Sequence, residues 1–177
     1  MTLDKIAAAI ERVQTVLRRR PDVGLHEDTL ASASWKEGTR VVSTHPNGMQ
    51  VTTDMPQELG GEGREVTPGW LFRAGIASCA TTSIALAAAE RGIELSRLDI
   101  RLVSRSDTRG LFGMPDSDGT VVSACPTDMR MEVQIAARGA SAEALRALVE
   151  KAVNCSPIPN AVRAAVPLTV QIEVEPK

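Results

Sequence analysis

Three cysteines, Cys79, Cys125 and Cys155, are the residues of this sequence best equipped for covalent chemistry. Cys79 sits among Ser78, Ala80 and Thr81 in an Ala-rich apolar run, and Cys155 stands directly before Ser156-Pro157-Ile158-Pro159. Cys125 falls in a stretch rich in Gly, Pro, Asp and Ser. A thiolate is a strong nucleophile, but a free cysteine is equally often a small buried hydrophobe, so spacing alone leaves both roles open. No two cysteines stand at metal-ligand spacing, and His26 and His45 occupy separate loop-like segments, so no metal site is expected. The same scarcity of histidine argues against a His-dependent hydrolase. Gly60-Gly61-Glu62-Gly63 lacks a following Lys-Ser/Thr, and no phosphate cradle is read there. No organic cofactor is implied.

Composition narrows the partners. The 20 basic residues nearly cancel 22 acidic ones, leaving a formal charge of -2 and no electrostatic footprint for nucleic acid or an anionic membrane. Two Trp, two Phe and no Tyr leave little with which to stack bases or sugars. The 177 residues suffice for one domain, at about 100–200 residues per domain. The first 20 residues mix charge with apolar positions and carry no export signal, which together with few cysteines leads us to expect the reducing cytoplasm. The most apolar run, 74–89, includes Ser78, Thr81, Thr82 and Ser83 and falls short of the roughly 20 residues of a bilayer span.

The elements that must position the cysteines can be read from periodicity. Leu3, Ile6, Ile10, Val13 and Leu17 recur at helical spacing, with Arg18–Arg20 at the cation-favouring end and Pro21 beyond. Residues 1–28 read as a helical extension and 29–177 as the domain proper. Arg40–Thr44 and Met49–Thr53 flank an Asn47-Gly48 turn, a hairpin signal. Thr67 can cap a helix with Pro68 in its first turn; the helix is apolar all round, which predicts a buried, central position. Alternation predicts strands at 98–102, 129–135 and 168–174, the last with Leu168, Val170, Ile172 and Val174 on one face. Residues 106–128 read as an irregular excursion. Ser141 opens a helix that Pro157 and Pro159 are expected to end. The class is α+β, a mostly antiparallel sheet with long buried central helices.

Three segments in order, 56–63 (PQELGGEG), 67–79 (TPGWLFRAGIASC) and 154–161 (NCSPIPNA), resemble the OsmC/Ohr family of osmotically inducible and organic hydroperoxide resistance proteins. The resemblance runs from about residue 32 to residue 174. It implies an intertwined homodimer with active sites at the interface, and a thiol-dependent peroxidase that reduces organic hydroperoxides. Carried onto this chain, Cys79 is the attacking thiolate and Cys155 the resolving thiol, and an external dithiol restores both. The family sets an arginine, oriented by a glutamate, beside the thiolate. Gly69 stands where that glutamate is expected, and Arg40 is the closest candidate for the arginine, with Arg64 and Arg73 as substitutes. The other reading is a non-catalytic dimeric protein that binds an apolar or electrophilic small molecule on the same scaffold. Cys125 is given no role.

Overall fold

The computed structural model describes residues 3–175, so the outermost residues of the expected extension and domain, 1–2 and 176–177, lie outside it. Helix α1 (Leu3–Arg19) packs on the long helix α2 (Pro68–Glu90), and Gln14 Nε2 donates to Glu90 Oε1 at 2.6 Å. A short 3-10 turn at Pro21–Gly24 follows the first helix. Strands β1 (Ser32–Glu37), β2 (Arg40–Thr44) and β3 (Gln50–Thr53) form an antiparallel sheet in that order. The Asn47-Gly48 turn lies where the sequence predicts it. Gly48 takes φ 89°, a left-handed value that glycine adopts without steric cost, and its N–H donates to His45 O at 2.9 Å.

After β3 the chain is folded around one carboxylate. Asp54 is almost wholly buried; it accepts from Thr39 Oγ1 at 2.5 Å, Met55 N at 2.8 Å and Glu62 N at 2.8 Å. Gly61 lies against this knot so tightly that a Cβ there would stand 1.8 Å from Met55 O. The loop therefore returns beside β3, pairing Thr53 with Val66, and delivers Thr67 to the start of α2. Thr67 caps that helix through Trp70 N at 3.2 Å, as expected.

Helix α2 is 23 residues long and, by length and composition alone, apolar enough to cross a membrane. Here it packs against α1, β4 (Leu95–Arg105), α4 (Ala142–Asn154) and α5 (Pro157–Ala164). Ile76, Ala80, Ile84 and Ala88, four residues apart, form its buried stripe. Ala88 joins Leu145 and Leu148 in the core, with Leu95 and Ile135 packed around them. Full burial of Ile84 or Leu148 is worth roughly 1.5–3 kcal/mol each. The expectation of a helix buried on every side is corrected, because Trp70, Phe72 and Leu86 stay about half exposed. The single chain leaves part of this helix uncovered.

β4 pairs antiparallel with β5 (Thr127–Ala137), setting Leu98, Ile100 and Leu102 opposite Ile135, Val133 and Met131. The described strands thus make separate sheets of three and two strands. Between β4 and β5 the excursion is more ordered than its composition suggests. It contains helix α3 (Thr108–Leu111), and Arg109 binds both Asp107 (2.6 Å) and Asp116 (3.2 Å). Both carboxyls are held below the usual range, Asp107 first by the Arg109 side chain and Asp116 first by the Ser117 N–H and then by Arg109.

Two further expectations are corrected. Residues 168–174 form no strand: Leu168 is 88% and Ile172 81% exposed, because alternation makes a strand only where a neighbour offers free N–H and C=O groups. Pro157 and Pro159 do not merely stop a helix. Helix α4 ends at Asn154, and Pro157 opens α5, where its missing N–H has no cost.

Candidate functional site

Cys79 lies in the middle of α2 on a partly covered flank beside the buried stripe. Its sulfur is 3.2 Å from Ser156 Oγ. Ser156 is fully buried and occupies the sharp junction between α4 and α5. That junction is clamped: Asn160 Nδ2 donates to Asn154 O at 2.8 Å and to Ser156 O at 2.9 Å, while Arg163 holds the Asn154 side chain at 2.9 Å. The clamp turns adjacent residues in opposite directions. Ser156 points at Cys79, whereas Cys155 is exposed and lines a groove with Ile10, Ser83, Ala152, Lys151 and Arg91. Helix α1 thus forms one wall of the groove that contains Cys155. Cys125 is exposed in the excursion, where its N–H bonds Ser123 Oγ.

The three arginines are spread out. Arg40, at the start of β2, lies 3.7 Å from Glu65 and 4.0 Å from Glu37. Arg64 pairs with Glu62 on the surface, and Arg73 donates to Ser104 on β4 at 3.5 Å. None of the three is bonded to Cys79 among the described residues. Sequence reasoning passed over Glu65, which pairs with Arg40, and Ser156, which contacts Cys79. Glu65 was legible only as a carboxylate two residues ahead of the Thr67 cap. Ser156 was legible only as the neighbour of a cysteine.

An apolar cleft of about 500 Å³ opens between the first sheet and α2, lined by Val41, Leu71, Phe72, Gly75 and Ile158 among others. Gly75 is one helical turn before Cys79, and Ile158 is two residues beyond Ser156. Val41 follows Arg40 directly. A second cavity of about 400 Å³ lies between β4–β5 and the last helices, walled by Leu102, Met129, Met131, Val133 and Val149. The arrangement sets the Cys79 sulfur at hydrogen-bond distance from a buried hydroxyl, on a helix whose preceding turn lines an apolar cleft.

Residues 61–171 match the family described as OsmC-like protein. An organic hydroperoxide resistance protein of Xanthomonas axonopodis pv. citri is 29% identical over 153 residues, covering 86% of this chain and 97% of that protein. Among solved structures, the OsmC-like protein of Mycoplasma pneumoniae superposes with a TM-score of 0.64 at 15% identity, over 78% of this chain and 89% of that one. An organic hydroperoxide resistance protein OsmC of Legionella pneumophila gives 0.56 at 25% identity, over 78% and 91%. With a match across well over half its length and the same fold in both neighbours, the chain belongs to the OsmC-like protein family.

Proposed function

We propose that this protein is a thiol-dependent peroxidase for organic hydroperoxides, with Cys79 as the attacking residue. The observation that carries the reading is the position of Cys79: a free cysteine on the central helix of an OsmC fold, one turn beyond Gly75 of an apolar cleft and facing the α4–α5 junction. The name of the Xanthomonas relative supports the same activity. An alkyl tail gains by leaving water for a cleft walled by Val41, Leu71, Phe72 and Ile158, which favours an organic hydroperoxide over hydrogen peroxide.

In the first step the Cys79 thiolate attacks the terminal peroxide oxygen. An S–O bond forms, the O–O bond breaks, and the alkoxide leaves as alcohol after taking a proton; Cys79 becomes a sulfenic acid. Cys155 is the second thiol of the cycle. Its sulfur displaces the sulfenic oxygen as water, forming a disulfide, and an external dithiol exchanges with that bond to restore both cysteines. For this to happen Cys155 must turn inward from its groove. Arg40 is the cation that stabilises negative charge at the reacting sulfur, and Glu65 is the carboxylate that orients it.

The functional unit is a homodimer. The uncovered face of α2 and the exposed alternation at 168–174 are the surfaces a second copy would cover. We place the protein in the cytoplasm, with residues 1–28 an extension of the OsmC-like domain.

The test is direct. Reduced protein is mixed with cumene hydroperoxide, and oxidation is followed by intact mass and non-reducing peptide mapping. The expected result is loss of two mass units and a Cys79–Cys155 bond; Cys79→Ser abolishes consumption and Cys125→Ser preserves it. Consumption by wild type no faster than by Cys79→Ser would leave the non-catalytic binding protein as the reading.

A further inference from the structure

Ser156 opens helix α5 at the position where a serine side chain ordinarily accepts a hydrogen bond from the first turn. It makes no such bond. Its backbone is fully engaged elsewhere, the N–H donating to Val153 O at 3.2 Å and the C=O accepting from Asn160 N at 3.1 Å and Asn160 Nδ2 at 2.9 Å. The hydroxyl, wholly shielded from solvent, is spent on the Cys79 sulfur instead. Burial without a partner is costly for a hydroxyl, so this contact is enforced rather than incidental.

The charged groups on the surrounding elements face elsewhere. On α2, Arg73 reaches Ser104; on α5, Arg163 reaches Asn154; from the first sheet, Arg40 is drawn to Glu65 and Glu37; on α4, Lys151 faces the groove of Cys155. Among the described residues, Ser156 is the side chain hydrogen-bonded to the sulfur.

We propose that Ser156 is the positioning residue of the site, donating a hydrogen bond to the Cys79 thiolate and fixing its orientation. A hydroxyl suits both protonation states. It accepts from the thiol S–H and, by rotating, donates to the thiolate, so no side chain need move when the proton leaves. A carboxamide or an alkyl group in its place could not serve both states in the same way. The inference rests on the peroxidase reading for its purpose, but its test does not depend on peroxide.

In a Cys125→Ser/Cys155→Ser background, alkylation of Cys79 by iodoacetamide is followed against pH. Ser156→Ala is expected to shift the profile to higher pH and to slow alkylation at pH 7 roughly tenfold, the scale of losing a hydrogen bond to a charged group. Ser156→Thr, which keeps the hydroxyl, is expected to restore most of the rate. An unchanged profile in Ser156→Ala overturns the proposal, even if wild type reduces peroxides. A shifted profile in a protein that consumes no peroxide supports it while removing the peroxidase reading. Should Ser156→Ala fail to fold, Ser156→Cys carries the test in the same background. Diamide is expected to join the introduced thiol to Cys79 within minutes, and absence of that bond in a folded variant overturns the proposal.

Discussion

Arg40 and Glu65 stand 3.7 Å apart, tying the start of β2 to the loop that delivers helix α2. Both side chains are more than a third exposed, so their attraction is screened and contributes under about 1 kcal/mol to folding. Their value would be in aim. If Arg40 serves the sulfur and Glu65 serves Arg40, each of Arg40→Gln and Glu65→Gln lowers peroxide turnover roughly tenfold, and the double variant is no worse than Arg40→Gln alone. Stopped-flow turnover with urea titrations of the same proteins separates this from a stability effect. A Glu65→Gln enzyme of full activity would remove Glu65 from the site.

The glycine loop before α2 tests a purely steric claim. Gly61→Ala drives a methyl into the Met55 carbonyl and is expected to cost at least 2–3 kcal/mol, roughly the cost of an overpacked site that must move backbone. Gly60 has φ 82° but open space around its Cβ position, so Gly60→Ala is expected to cost only about 1–2 kcal/mol of backbone strain. Equilibrium denaturation should rank them in that order.

Asp54 should set part of the acid sensitivity of the fold. Its carboxyl is held below the ordinary carboxylate range, first by the Thr39 hydroxyl and then by the Glu62 N–H, with a smaller share from the Met55 N–H. A carboxyl depressed in the folded state stabilises the protein above its unfolded value of 3.8, and that contribution is lost as pH falls through the folded value. Asp54→Asn should therefore weaken the protein at pH 7 and flatten the acid limb of a urea-midpoint profile below about pH 4. A limb as steep as in wild type would assign the acid sensitivity to other carboxylates.

Dimerisation has its own signature. If residues 168–174 pair with a second chain, Ile172→Asp puts a charge on the apolar face and should yield monomers in sedimentation velocity. For wild type, a tenfold rise in protein concentration should raise Tm by roughly 2–4 °C, since subunit association and folding are linked. A Tm independent of concentration, with monomers already in wild type, would refute this assembly.

The elements whose signals are local were legible in the sequence. Thr67 and Ser141 announce their helices because a cap is a bond made three residues away, and Asn47-Gly48 announces its hairpin because the turn demands left-handed backbone. The alternation of β4 and β5 was also visible, although both strands extend two or more residues past the expected ends. Long-range relations were not legible. The pattern 168–174 specifies a face but not the strand that receives it. Pro157 reads equally as a stop or a start, and only the turn at Cys155 and Ser156 decides between them. For the same reason the residue facing Cys79 could not be found from spacing: two neighbours at a helix junction point in opposite directions, and the sequence does not say which points inward.

The doubled bond from Asn160 gives helix α5 a role beyond packing. If the proposed cycle joins Cys155 to Cys79, the junction held by these two bonds is the place where strain would fall on oxidation. Amide hydrogen exchange at that junction should then speed up in the disulfide form and slow again on reduction.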